Sequence, residues 1–278
     1  MARLKGADSS RCIAFRGDFD ALPIQEPEGL EYRSETPGVM HACGHDFHAS
    51  ALLSFARILK RHPQLLKCDA RFIFQYAEEL PPGGAGPMIE DGCLDGVTEI
   101  YGFHVSEELP VGTAGVRHGK YMAASDAFFI DFSGQGGHGS RPDLANNPLD
   151  CFVAIANDLN TFRMKCIPPQ DILTVNIGSV HCGAKRNIVP QRLEFKGTCR
   201  FYNSKSGSRF KKKLRQIITA NADLYGCQAE FGVFTGPSMA QLNHREAAAL
   251  ARSAFREVFP EITQIAEKEP EMSSESFG

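Results

Sequence analysis

"ARFIFQYAEELPPGG", residues 70–84, is the stretch on which the fold turns. Read as a strand, it places Phe72, Phe74 and Tyr76 on one face and Ile73 and Ala77 on the other. Apolar residues on both faces predict a strand covered on both sides, as in an α/β sheet. The run ends in Glu78-Glu79, before a Pro/Gly loop.

Upstream, "RCIAFRGDFDALP" (11–23) reads as a strand from about Arg11 to Arg16, with Asp18 and Asp20 just past its end. "HACGHDFHAS" (41–50) gathers three histidines, a cysteine and an aspartate. The helix that follows carries Leu52, Phe55, Ala56 and Leu59 on one face and stops at Pro63. Downstream, "GPMIEDGCLDG" (86–96) reads as a short helix and "EIYGFHV" (99–105) as a third strand, with His104 near its end. Sites in open α/β sheets form outside the carboxyl ends of the strands. If the three strands lie side by side, Asp18, Asp20, Glu78, Glu79 and His104 converge there with Cys43 and His45.

The second half changes character. Strand (from Ser125), helix (147–162), two strands (171–181 and 191–202), helix (208–226) and strand (227–234) make the β-α-β-β-α-β order of a ferredoxin-like unit. The expected architecture is therefore α/β, with a metal-binding domain over residues 1–115 and an inserted ferredoxin-like domain over 116–235. Residues 236–278 return to the first domain, beginning with the helix in "NHREAAALARSAFREVF" (243–259).

Composition narrows the function classes. A net charge of −3 gives no basic field for nucleic acid. No apolar run is long enough to span a membrane, and no signal-like segment opens the chain. Nine scattered cysteines without a CxxC pair fit a reducing compartment, so a cytoplasmic protein with mostly core cysteines is expected.

Each site residue also has a plainer reading. Cys43 and His45 are a metal pair, a buried thiol beside a capping histidine, or a nucleophile with its base, in that order of preference. Glu78-Glu79 alone is an ordinary charged strand exit, and a lone histidine such as His104 is more often a satisfied core residue. His41 and His48 are assigned to the loop and to the first helical turn. "SGQGGHGSRP" (133–142) lacks nucleotide-binding spacing, which leaves His138 as its residue of interest.

"RGDFDALPI", "GVMHACGHDFHA", "FIFQYAEE", "IYGFHV", "GQGGHGSRP", "GAKRNIVP" and "GTCRFY", in this order across nearly the whole chain, resemble the M20 metallopeptidase family. The likeness is to its amidohydrolase branch, which includes hippurate hydrolases, N-acyl-amino-acid amidohydrolases, deacetylases and auxin-conjugate hydrolases. The resemblance implies metal ligation by Cys43, His45, Glu79 and His104, with Glu78 as general base and Asp18 and Asp20 supporting the site. It implies that His138 holds the substrate carbonyl and that Asn187 and Arg200 contact the substrate's carboxylate end. It implies two divalent ions (manganese, zinc, cobalt or nickel), an N-acyl amino acid as substrate, and a homodimer formed through the inserted lid.

There are departures. Family members are longer and begin with a helix and strand absent here. Their last histidine ligand follows a "SEDF" motif, where this chain has "SSESF" (273–277) with Ser276 in place of the aspartate. Tyr76 stands for the usual proline. A chain truncated at both ends, holding one ion of the two and weakly active or inactive, is therefore expected. The alternative is a non-catalytic homologue that binds metal and dimerises without turnover. A cysteine-dependent amidase using Cys43 is the third reading.

Overall fold

The two apolar patterns become two separate four-stranded sheets. The computed structural model describes residues 1–80, 83–232, 239–259, 264–266 and 268–278. The chain divides into two compact units. The first comprises Met1–Val116, His244–Glu267 and Phe277; the second comprises Arg117–Asn243, Lys268–Ser276 and Gly278.

The first unit opens with β1 (Ala2–Leu4) and β2 (Asp8–Asp18). They are followed by α1 (His45–Arg61), β3 (Cys68–Gln75), α2 (Ala85–Glu90), β4 (Glu99–Gly102) and β5 (Thr113–Gly115). The sheet order is β1-β3-β2-β4, with β2 parallel to both neighbours and β1 antiparallel to β3. The two-faced reading of residues 70–75 holds. Phe72 packs with Leu52, Leu59 and Leu66 on one side, and Ile73 packs with Ala14 and Cys93 on the other. Burying each of these large side chains contributes about 1.5–3 kcal/mol. Phe55 of α1 meets Phe15 of β2 edge-on at 4.9 Å. The helix ends at Arg61, just before Pro63.

Several strand bounds differ from expectation, among them β4, which ends at Gly102 and leaves His104 beyond it. β2 runs on to Asp18, which is its last residue rather than one beyond it. β3 stops at Gln75, so Tyr76 is outside the strand and 45% exposed. β1 has no counterpart in the sequence reading. Three residues carry no periodicity, and the strand is tied down by a distant partner, Asp69, which accepts from Arg3 Nε (2.9 Å) and Gly6 N (2.8 Å).

The second unit contains β6 (Gly119–Met122), β7 (Ala124–Ser133), β8 (Gly137–His138), α3 (Pro148–Cys166) and β9 (Leu173–Cys182). It continues through β10 (Ile188–Val189), β11 (Arg192–Phe201), α4 (Ser204–Tyr225), β12 (Gln228–Phe231) and β13 (Gln241–Asn243). Its main sheet is antiparallel in the order β12-β7-β11-β9, with α3 and α4 packed on it. That is the ferredoxin-like arrangement read from the sequence. Phe128, Ile130, Phe132, Leu193 and Phe195 from the sheet meet Ile155 and Leu159 of α3 and Phe210, Leu214 and Ile218 of α4. Asn147 and Asn203 cap the two helices through their side chains.

Residues 233–234 of the expected last strand and the expected boundary at 235/236 lie outside the described residues. Beyond them the stretch expected to return to the first domain is divided. α5 (Arg245–Val258) and β14 (Gln264–Ala266) group with the first unit. Lys268–Ser276 groups with the second, because Ala123 N donates to Glu271 O (3.1 Å) and Ser273 O (2.9 Å). Among the described residues no helix is long and apolar enough to cross a membrane, and all nine cysteines are unpaired.

Candidate metal centre

The carboxyl ends of β3, β2 and β4 lie side by side, and polar side chains gather there from four segments. β2 supplies Asp18 at its last position and Asp20 two residues on. The loop after β3 supplies Glu78 and Glu79, the segment after β4 supplies His104, and the start of α1 supplies Cys43 and His45.

α1 can reach the strand ends for two local reasons. Gly44 precedes the helix with a φ of 79°, a left-handed conformation that a side chain would strain. A Cβ at Gly17 would lie 3.1 Å from His48 O and 3.3 Å from a Leu52 methyl, so glycine there lets helix and strand approach closely.

The polar atoms form a closed set of contacts. Asp20 Oδ1 lies 3.1 Å from His45 Nδ1, and Asp20 Oδ2 accepts from the Glu79 backbone N–H at 3.0 Å. His45 Nε2 then faces Glu79 Oε1 at 3.8 Å and Asp18 Oδ2 at 3.7 Å. Cys43 Sγ lies 3.4 Å from His104 Nε2. Ligand-type atoms of Cys43, His45 and His104 all fall within 4.8 Å of one another, as do those of His45, Glu78 and Glu79. His45, 1% exposed, belongs to both groups.

Strand alternation would send adjacent glutamates to opposite faces, but it does not describe Glu78 and Glu79. They lie past β3, and Ala77 has a φ of 49°, a region that non-glycine residues rarely occupy. They are carried by a turn in the chain in which Gly84 N donates to Ala77 O, and one carboxylate oxygen from each lies within 4.8 Å of the other.

The charge balance points to a cation. With Nδ1–H donated to Asp20, His45 Nε2 presents a lone pair toward two carboxylate oxygens. His45 Nε2 and Glu79 Oε1 are buried without any hydrogen-bond partner, an arrangement that costs about 1–3 kcal/mol per group. Asp18 Oδ2 has no hydrogen-bonding geometry either, although Arg16 Nη1 pairs with it at 2.6 Å. Burial, then the Glu79 carboxylate, pushes the Cys43 thiol up to about 12. Burial also opposes the charge on Asp18, but its hydrogen bond to His48 and the nearby Arg16 keep its pKa below the usual carboxylate value. A metal ion would turn these repulsions into attractions. Thiolate, imidazole and carboxylate together suit a borderline-soft divalent ion better than magnesium or calcium. The residues fit a metal.

The three expected substrate contacts belong to the second unit. His138 pairs with Ile188 across β8 and β10, and Gly139 N donates to Asn187 O at 2.9 Å, so His138 and Asn187 are neighbours. Ser140 N donates to His138 Nδ1 at 3.1 Å, which leaves Nε2 as the protonated nitrogen. Arg200 lies on β11, where Nη1 donates to Met272 O at 2.7 Å and approaches Ser274 Oγ at 3.4 Å.

Two polar residues at the site were not singled out from the sequence. His48 is fully buried against Asp18 Oδ1 at 2.6 Å, and Arg16 ties Asp18 to Gln75 Oε1 through an Nε contact of 2.9 Å. A signal for His48 existed, since it lies three residues after His45 and so on the same helical face.

Comparison with known proteins sets this geometry in context. The model of "Peptidase family M20/M25/M40" matches residues 14–278. Thermostable carboxypeptidase 1 of Saccharolobus solfataricus is 34% identical over 278 residues, which is 100% of this chain and 70% of the relative. An N-acyl-L-amino acid amidohydrolase of Geobacillus stearothermophilus is 36% identical over 231 residues, 83% of this chain and 62% of that protein. A solved structure from Bacillus subtilis, described as a dinuclear metal binding peptidase of the M20 family, superposes with a TM-score of 0.79 at 33% identity. The match covers 99% of this chain and 70% of that one.

Proposed function

The chain belongs to peptidase family M20/M25/M40, a family of metal-dependent hydrolases, and on that premise we propose that it cleaves the amide bond of N-acyl amino acids, releasing a carboxylic acid and a free amino acid. The observation that carries the reading is the pair of buried, partnerless atoms, His45 Nε2 and Glu79 Oε1, 3.8 Å apart. A cation between them would satisfy both. The N-acyl-amino-acid specificity comes from the named activity of the Geobacillus relative, and the expectation of two ions follows the Bacillus subtilis structure.

Cys43, His45, Glu79 and His104 would hold the metal. When bound, it supplies Lewis-acid polarisation of the amide carbonyl and a lowered pKa for water. Asp20 orients two of these ligands at once, the His45 ring through Nδ1 and Glu79 through its backbone. Glu78 is the general base: it takes a proton from the attacking water and returns it to the leaving nitrogen. His138, with Nε2–H outward, donates to the carbonyl oxygen as negative charge develops there. Asn187 and Arg200 are assigned to the substrate's carboxylate end, Arg200 with one nitrogen already committed to Met272 O.

The test is hydrolysis of hippurate and a panel of N-acetyl amino acids with added manganese or zinc. Chelator-sensitive release of the amino acid is expected. Glu78→Gln should lower kcat by about 10²–10⁴-fold with metal content unchanged. A Glu78→Gln variant as active as the parent would remove Glu78 from the mechanism. We also propose a homodimer formed through the second unit, whose edge strand β9 pairs, among the described residues, only with β11. Val180 on β9 is 41% exposed, and Val180→Lys should shift the sedimentation mass toward the monomer. An unshifted dimer would put the interface elsewhere.

A further inference from the structure

His48 bridges two of the strand ends that carry the site. It sits one turn into α1, 0% exposed, and each of its ring nitrogens has a different kind of partner. Nδ1 lies 2.6 Å from Asp18 Oδ1, at the end of β2. Nε2 accepts the backbone N–H of Val105 at 3.0 Å, just after β4.

These contacts fix the state of the ring. An N–H donor at Nε2 requires a lone pair there, so Nε2 is unprotonated. The proton is then on Nδ1, where Asp18 accepts it. With both nitrogens used, His48 has no lone pair left for a metal. This separates it from His45, although the two share Asp18 as a neighbour.

The partners are positioned to transmit the effect. Val105 follows His104, and the His104 ring meets the His48 ring at 4.5 Å and 69°. His104 Nδ1 in turn lies 2.6 Å from Val105 O, so its Nε2 is the nitrogen that faces Cys43. On the other side, Asp18 gives one oxygen to His48 and leaves the second 3.7 Å from His45 Nε2. The bridge therefore spans the His104–Cys43 half of the site and the Asp18–His45 half.

We infer that His48 is a positioning residue, a neutral Nδ1-protonated imidazole that sets the spacing between the two halves of the ligand cluster and so tunes metal affinity. The inference rests on the metal-site reading above. It does not depend on the substrate.

Replacement splits the bridge into its parts. In His48→Gln the side-chain oxygen can still accept from Val105 N–H, while the contact to Asp18 is lost. In His48→Asn the side-chain amide can still donate to Asp18, while Val105 loses its acceptor. His48→Ala loses both. The readouts are the dissociation constant for cobalt(II), the cobalt–thiolate charge-transfer band that reports Cys43 ligation, and the Tm of the chelator-treated chain.

We expect His48→Ala to weaken cobalt binding by about 10–100-fold, the usual cost of losing a residue that orients a ligand. His48→Gln should keep more of the charge-transfer band than His48→Asn, because it keeps the contact next to His104. Long-range ¹H–¹⁵N spectra of the metal-free chain should show His48 protonated at Nδ1 only. Parental cobalt affinity and band in His48→Ala would overturn the proposal, as would a drop in Tm with cobalt affinity unchanged in all three variants, or a ring protonated at Nε2. Turnover is not among these readouts. Cobalt uptake without hydrolysis of any N-acyl amino acid would remove the proposed substrate class and leave His48 to be judged on the cobalt data.

Discussion

The two sheets bury different things. Among the described residues, nineteen apolar residues form one continuous cluster in the second unit, while the first unit has two small clusters of five and three. Among the described residues, the first unit buries seven polar or charged side chains (Arg16, Asp18, His45, His48, Asp69, Arg71, Gln75) and the second buries four (Asp126, Ser206, Asn221, Glu275). One sheet is a scaffold held by close apolar packing, and the other spends interior volume on chemistry. A buried polar group is tolerable only when its partners are present. The first unit should therefore depend on ions and protons, and the second on shape.

The sharpest test of this contrast is a cavity in the second unit. Phe128 is fully buried between Phe195 and Phe210, and Phe128→Ala should cost about 3–5 kcal/mol by urea denaturation. Metal content per folded molecule should not change. A loss of metal with little loss of stability would reverse the assignment of roles.

A second test probes charge in the first unit. In the chelator-treated chain the Cys43 thiol, pushed up to about 12 by burial and Glu79, should react very slowly with iodoacetamide at pH 8. Glu79→Gln removes one of the charges that opposes the thiolate. It should lower the thiol pKa and speed alkylation several-fold, read at Cys43 by mass spectrometry. An unchanged rate would mean that burial alone protects the thiol.

The smallest effect concerns Asp69, which is inaccessible to solvent and surrounded by Arg3, Gly6 N–H and Ser9. The Gly6 N–H, then Arg3, hold its pKa below the usual carboxylate value. A carboxylate lowered in the folded state stabilises the fold above its unfolded pKa, about 3.9. That contribution is lost as pH falls through the lower folded value. Asp69→Asn should therefore have a lower urea midpoint than the parent at pH 7, and the gap should narrow as pH falls below the unfolded value. A gap of constant size would assign the effect to packing of β1 rather than to charge.

What could be read from the sequence follows the same division. The β-α-β-β-α-β order of elements pointed to the second sheet. The two-faced run at Phe72 and Ile73 gave the buried strand of the first. The gathering of Asp18, Glu79 and His104 followed from the strand ends, with Cys43 and His45 added by the stretch that opens α1. The remainder depended on contacts that local patterns do not encode. The start of α1 at His45 was obscured because its N-cap is Gly44 in a left-handed conformation, with no side-chain cap to mark it. The turn at Ala77 was invisible because alanine signals no positive φ. His48 looked like a helix residue because its two partners, Asp18 and Val105, are 30 and 57 positions away.

The position of β2 has a consequence for how the centre is built in time. β2 comes before both of its parallel partners in the sequence, yet it lies between them. Each pairing requires a separate crossover to close, and non-local parallel pairings are slow to form. Cys43 and His104, 61 residues apart, can meet only after the second crossover is complete. Ion capture is then a late event, a marker that the sheet has finished assembling rather than a nucleus for it. In refolding from urea, the cobalt–thiolate signal should lag the recovery of far-UV ellipticity, and adding metal early should not shorten that lag.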